Sequence, residues 1–544
     1  MEEREEAGDK FERESGRCAV NRRLTKYLAI LGAAILAAMA AACGGGGGVT
    51  PPPTPPSGPY SQGSLNGTYA FVLSGQDGRG FFTRVGSFTA NGSGSITGGV
   101  QDLNSGLVPG SATLAITGGS YTINTNGKGT ISLIDSAETI QLSVVMTSTS
   151  TGLFTQTDGS ATSSGNFIAQ DTSTFSGYPN NVNGPYVFDY SGVDPNGAGE
   201  SLVGRMVGNG GGGISSGVVD INDDFTPSGQ LPITGATFVI DSTNGATFGR
   251  GTATLSAGGT TFNYAVYIVS ANRLRLMRVD YPAASVGDAI AQTGTIPTTA
   301  AGVTGSFVFS LGGSSLSGAD VRTGRATFSG GSLSNILMDD NNSSASGSGN
   351  SNPVPIPNGT LSSTTYAIDP SGTGRGTMTF TDSNKGTYSF IFYLSSPTQG
   401  VIQDVSNGLT SDGSMNAQTG GPFTASATGG NWAFNWSGLS INSNTGILAE
   451  EDFVGQYSQD TSGNITGGVD FTELSANEVI TGAGITGMLN VTGDGTGRNG
   501  YSVTIQSSPS ATLNFSAYFI GPNQLMVVGT DTHRVITGTL QRNY

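Results

Sequence analysis

At 544 residues the chain has room for roughly three to five domains of ordinary size, and its 87 glycines follow no Gly-X-Y period, which excludes a collagen-like rod. The formal net charge is -16. Residues 1–43 hold as many basic as acidic side chains, so the excess belongs to the remainder and excludes a nucleic-acid partner, whose phosphates it would repel.

The N-terminal stretch reads as an address. Arg22, Arg23 and Lys26 precede an apolar run from Tyr27 to Ala42, followed by Cys43, five glycines and a proline-rich segment. A charged start, a short apolar run and small residues before the cut make a secretory signal. The run is shorter than the roughly 20 residues a spanning helix needs. Ala40-Ala41-Ala42-Cys43 resembles the lipobox of bacterial lipoproteins, with Ala40 where that family usually has leucine. The resemblance implies that Cys43 carries lipid and becomes the mature N-terminus. Gly44, in a place where aspartate commonly means inner-membrane retention, implies an outer-membrane or cell-surface location. Residues 44–60 read as a tether, flexible glycines and then a stiffer polyproline II spacer.

The rest is one unit written four times. Gly67-Thr-Tyr-Ala-Phe-Val-Leu-Ser-Gly75 alternates large and small residues, with Tyr69, Phe71 and Leu73 on one face. That period of two marks a half-buried strand. The pattern returns at Gly184, Gly305 and Gly430, at spacings of 117, 121 and 125 residues. A glycine-led hairpin follows in each copy (from Gly86, Gly204, Gly324 and Gly455) and closes at Asp102, Asp220, Asp339 and Asp470. Next comes a glycine-flanked cation, Lys128, Arg250, Arg375 or Arg498. No phosphate-loop pattern surrounds it, and a pairing with a local carboxylate is expected. An aromatic strand then contains Phe262, Tyr264 and Tyr267, or Tyr388 to Tyr393, or Phe515 and Tyr518. The closing strand sets a glycine five residues before Gln170, Gln292 and Gln418, and copy four ends loosely at Gly538 and Gln541.

The fold class expected is all-β: four tandem antiparallel meander domains at 61–172, 183–293, 304–418 and 429–544. About eight strands and short connections favour up-and-down barrels, which remove sheet edges by closure; β-sandwiches are the alternative. In strand count and turn placement each copy resembles the avidin and lipocalin type of barrel. Asp340 to Leu361 is read as an exposed polar insertion.

Chemistry-bearing constellations are sparse. The folded part has no cysteine, since Cys18 and Cys43 both precede it, and the single histidine, His533, reads as a turn residue. This removes repeated Ser-His-Asp triads and thiolate metal sites. No cofactor is implied. Asp220, Asp223, Asp339 and Asp340 form local acidic groups that are calcium candidates without a recognised loop spacing. Trp432 and Trp436 are candidates for facing a ligand in a barrel mouth. The expected function is non-catalytic: an envelope protein held to the membrane by its N-terminal lipid, binding a glycan or a surface protein, or serving adhesion, with repeats supplying reach and avidity. The alternatives are a carbohydrate-active hydrolase using Asp and Glu, and small-ligand capture inside the barrels.

Overall fold

The computed structural model describes residues 58–543 except 106–111, 281, 317, 343–360, 383–385, 442–447, 475–476, 494, 508–509 and 532–533. Cys43, the signal, the tether up to residue 57, His533 and most of the polar insertion lie outside the described residues.

Four closed barrels follow one another, each of eight antiparallel strands in chain order. Every strand pairs with the next and the eighth pairs back with the first, as Phe71 opposite Phe167 in barrel 1 and Trp436 opposite Gly538 in barrel 4. The first strands are Asn66–Asp77, Asn183–Val193, Gly305–Ser315 and Gly430–Ile441. The eighth are Ala161–Ala169, Ala284–Ala291, Leu409–Ala417 and Arg534–Arg542. The sandwich alternative is thereby excluded.

Inward residues of each barrel form its own apolar core. An eight-stranded barrel is just wide enough for side chains to fill, and large rings fill these. Phe434 stacks on Trp436, and Tyr190 stacks on Tyr264. One glycine per barrel makes the ring packing possible. A Cβ on Gly86, Gly204, Gly324 or Gly455 of the second strand would lie 2.3–2.5 Å from the ring of Phe71, Phe188, Phe309 or Phe434 on the first. The hairpin glycines that mark each repeat are therefore clearance for the ring across the strand pair.

The outer face of the first strand is not given over to water. Ala70, Val187, Val308 and Ala433 are buried against neighbouring barrels. The strand expected to be half-buried is covered on both faces, which explains its small apolar residues between the large ones.

The covering follows one rule. The second strands (Gly80–Asn91, Gly199–Asn209, Gly318–Ser329 and Leu448–Gln459) each pack on the last strands of the next barrel. Barrel 1 meets barrel 2, 2 meets 3, 3 meets 4, and the second strand of barrel 4 meets the eighth strand of barrel 1. The barrels close into a ring rather than extending as a string.

Because the strand number is even, the chain enters and leaves each barrel on the same rim. The far rim carries an ion pair with at least one buried partner in every barrel. Arg84 donates to Glu138 (2.6 Å), Arg278 to Glu200 (2.6 Å), and Arg534 to Glu451 (2.8 Å). Arg322 pairs with Asp320 (3.1 Å) and Asp404 and lies 3.4 Å from Asp340.

Candidate functional site at the barrel junctions

The repeated polar motifs converge where one barrel meets the next. The third strands (Ser95–Ser105, Ile214–Asp223, Ser332–Asn342 and Asn464–Glu473) carry the hairpin-closing aspartates on their outer faces. The fifth strands (Lys128–Asp135, Arg250–Ala257, Arg375–Asp382 and Arg498–Gln506) open with the glycine-flanked cations. Arg250 of barrel 2 forks onto Asp102 of barrel 1 through Nε and Nη2, both at 2.8 Å. Arg375 does the same to Asp220 at 2.8 Å, and Arg498 to Asp339 at 2.6 Å. Two parallel N–H donors on one carboxylate form a strong, oriented contact. The carboxylate expected nearby in sequence thus comes from the preceding barrel, although Arg250 also reaches the local Asp241.

A tyrosine completes each contact. The hydroxyls of Tyr267, Tyr393 and Tyr518 donate to Asp102, Asp220 and Asp339 at 2.6, 2.6 and 2.5 Å. Burial, and then the neighbouring carboxylate, raise all three hydroxyls above their ordinary range, so they stay protonated donors. Each tyrosine sits directly across from its arginine on the adjacent strand.

Two amides finish the junction. Asn104 donates to the carbonyls of Arg278 and Ala283 of the next barrel. Asn222 and Asn341 do likewise, to Asp404 and Leu409 and to Gly529 and Arg534. Gln170 donates forward to the carbonyls of Phe248 and Ile268, Gln292 to those of Thr373 and Leu394, and Gln418 to those of Thr496 and Phe519.

The fourth junction, between barrels 4 and 1, keeps the positions and changes the residues. Lys128 meets Asp470 at 3.2 Å, with Val145 across from it where the others have tyrosine. Thr472 stands at the asparagine position, and its buried hydroxyl has no partner. Asn543 takes the glutamine place. Its backbone N–H bonds Asn431 as that of Gln170 bonds Thr68, its Oδ1 accepts from Tyr60, and its Nδ2 is buried without a partner. The fourth-copy counterpart of Gln170 is therefore Asn543, five residues after Gly538, and not Gln541. Gln456 corresponds to Arg205 and Arg325, and both of its amide atoms are buried and unpartnered. The apolar cluster here is Val145, Leu153, Ala433 and Val454, without the tyrosine that the other junctions bury.

The calcium candidates are placed differently from expectation. Asp220 and Asp339 are taken up by arginine and tyrosine. Asp340, next to Asp339 but on the opposite face, turns into the rim of barrel 3 toward Arg322. Asp223 lies exposed at the far rim of barrel 2, away from Asp220. Among the described residues no three His, Cys, Asp or Glu side chains are grouped to hold a metal. Trp432 and Trp436, expected to face a ligand, are fully enclosed in the core of barrel 4. Trp432 donates to the Thr428 carbonyl at 3.0 Å, and Trp436 packs among Phe434, Phe453 and Phe515. Their size serves packing.

No family model and no curated protein matches the chain. Among solved structures it overlaps a transferrin-binding protein B from Haemophilus parasuis at 8% identity, over 72% of this chain and 83% of that one, with a TM-score of 0.18. The protein of the same name from serogroup B Neisseria meningitidis overlaps at 10% identity, over 70% and 79% of the two chains, with a TM-score of 0.17. At such scores the overlap carries no weight for what this chain does.

Proposed function

We propose that this chain is a lipid-anchored protein of the outer membrane or cell surface with a non-catalytic binding role, Cys43 bearing the lipid. Closure of the four barrels into one ring, each with a packed core, supports the binding role, and the lipobox-like Ala40-Ala41-Ala42-Cys43 supports the anchor. Filled cores disfavour small-ligand capture inside the barrels and move recognition to the outside. A ring also trades the reach of a string for rigidity, so the repeats act as a platform. The chain enters barrel 1 on the linker rim, and a tether there leaves the far rim, with its loops and carboxylates, to meet a glycan or surface protein.

Two measurements test this. The full-length protein, purified in detergent, is screened against a glycan array and immobilised surface proteins, and against chromogenic glycosides and esters. Saturable binding without turnover is expected; turnover abolished by an Asp or Glu substitution would replace this reading with the hydrolase one. For the anchor, Cys43→Ala is expected to abolish labelling by a fatty-acid analogue and to release the protein from the membrane fraction.

A further inference from the structure

The far rim of barrel 1 is built unlike the other three. Glu200, Asp320 and Glu451 stand at one inward position of the second strand, and each meets an arginine that closes its barrel. Barrel 1 has Phe82 there. Arg84 must therefore find its carboxylates at the turn between the fifth and sixth strands, where Glu138 accepts at 2.6 Å and Asp135 lies 3.7 Å away. A cavity of about 210 Å³ remains above the pair, lined by Phe82, Arg84, Ser105, Asp77, Arg79 and Glu138.

The lining is part apolar and part polar, and its polar part is incompletely partnered. The Arg84 side chain is only 4% exposed, yet its Nε and Nη1 have no hydrogen-bond partner. The Ser105 hydroxyl is also buried and unpartnered. Acceptors stand beside these donors: Glu138, 36% exposed, and Asp77, which holds the exposed Arg79 at 2.9 Å.

We propose that this mouth binds one neutral sugar residue of a glycan. An apolar ligand would cover Arg84 and Ser105 without satisfying them, at a cost of a few kcal/mol. An anion would meet Asp77, Asp135 and Glu138, and a cation would meet Arg79 and Arg84. A polyhydroxyl ring answers both sets: its oxygens accept from Arg84, Arg79 and Ser105, its hydroxyls donate to Asp77 and Glu138, and Phe82 offers an apolar surface to its C–H face. The volume lies below the roughly 300 Å³ where drug-sized sites begin, which suits a single ring. The inference rests on the binding role proposed above and names the ligand class at one of the four mouths.

The test titrates the full chain with glucose, galactose, mannose, N-acetylglucosamine and N-acetylgalactosamine, read by saturation-transfer NMR and calorimetry. At least one is expected to bind in the millimolar range. Arg84→Leu, which installs the residue barrel 2 has at that place, is expected to weaken binding about tenfold or more, since hydrogen bonds to a charged group are lost. Ala112→Trp, from a half-exposed position on the cavity edge, is expected to block binding while leaving the ion pair intact. Should Arg84→Leu fail to fold, Ala112→Trp decides. No binding by any of the five sugars, or binding that Ala112→Trp leaves unchanged, overturns the inference. If surface proteins or array glycans still bind the Ala112→Trp protein as before, the platform role survives and this site does not.

Discussion

Lys128 and Asp470 lie 342 residues apart and meet at 3.2 Å, so the first barrel is held to the last by the contact that joins every consecutive pair. It is the same contact in a reduced form. A lysine gives a point charge where arginine gives a fork, and no tyrosine hydroxyl shares the carboxylate. Thr472 makes neither of the two carbonyl bonds that asparagine makes at the other junctions, and Gln456 leaves both amide atoms unpartnered, so this junction is the seam of the ring.

The seam is expected to open before the other three junctions. Hydrogen exchange in the second strand of barrel 4 and the seventh and eighth strands of barrel 1 should be faster than at their counterparts between barrels 2 and 3. Lys128→Arg combined with Val145→Tyr installs the missing fork and hydroxyl. It should slow that exchange and stabilise the protein by about 1–3 kcal/mol, the worth of hydrogen bonds to a charged group. Equal protection at all four junctions in the native protein would remove the idea of a seam.

At an intact junction the opposite change is informative. Arg375→Met leaves Asp220 buried, with only the Tyr393 hydroxyl and one backbone N–H as donors. Breaking a buried pair from one side costs about 3–5 kcal/mol. Denaturant unfolding should show a loss of that order, and Asp220→Asn in the same chain should recover part of it. A purely additive double mutant would mean that the two residues do not act as a unit.

Much of this architecture is legible in the sequence. The alternation of Tyr69, Phe71 and Leu73, repeated four times, carried the strand type, the repeat and the barrel. The aspartates, cations and glutamines were visible as recurring motifs. Their partners were not, because a hairpin period says which face a side chain takes and nothing about which barrel covers that face. One clue stood in the aromatic strand. The step from Tyr264 to Tyr267 is odd-numbered and flips the second ring to the outside, where a large ring needs a neighbour to bury it. Trp432 and Trp436 misled for a related reason: size alone does not distinguish a ring that fills a barrel from one that lines its mouth.

The repeated hairpin glycines give a prediction about packing. Gly204→Ala places a methyl group 2.5 Å from the Phe188 ring and 2.6 Å from the Val218 carbonyl oxygen. Overpacking of this kind costs about 1–3 kcal/mol. Gly235→Ala in the same barrel is the control, because a Cβ there meets nothing within 4 Å. Thermal melts should separate the two variants clearly, and similar melting temperatures would show that Gly204 is not kept for clearance.

Stability should fall as pH rises from mildly acidic to neutral. Burial is the first cause that lifts the Asp189 carboxyl to about 7 and raises that of Asp452 above its ordinary range. A carboxyl whose folded value lies above its unfolded one binds its proton more tightly when folded. Its stabilisation is complete below about 4, declines through the interval, and is gone above about 7. Asp452 is the useful probe, since it lies at the seam, fully buried, with neither carboxyl oxygen hydrogen-bonded. Asp452→Asn keeps the shape and removes the charge. It should leave the melting temperature near pH 4 almost unchanged, raise it at pH 7.5, and flatten the slope between. A native melting temperature that climbs from pH 5 to 7.5, or an Asp452→Asn profile parallel to the native one, would mean that these carboxyls titrate as they do in water.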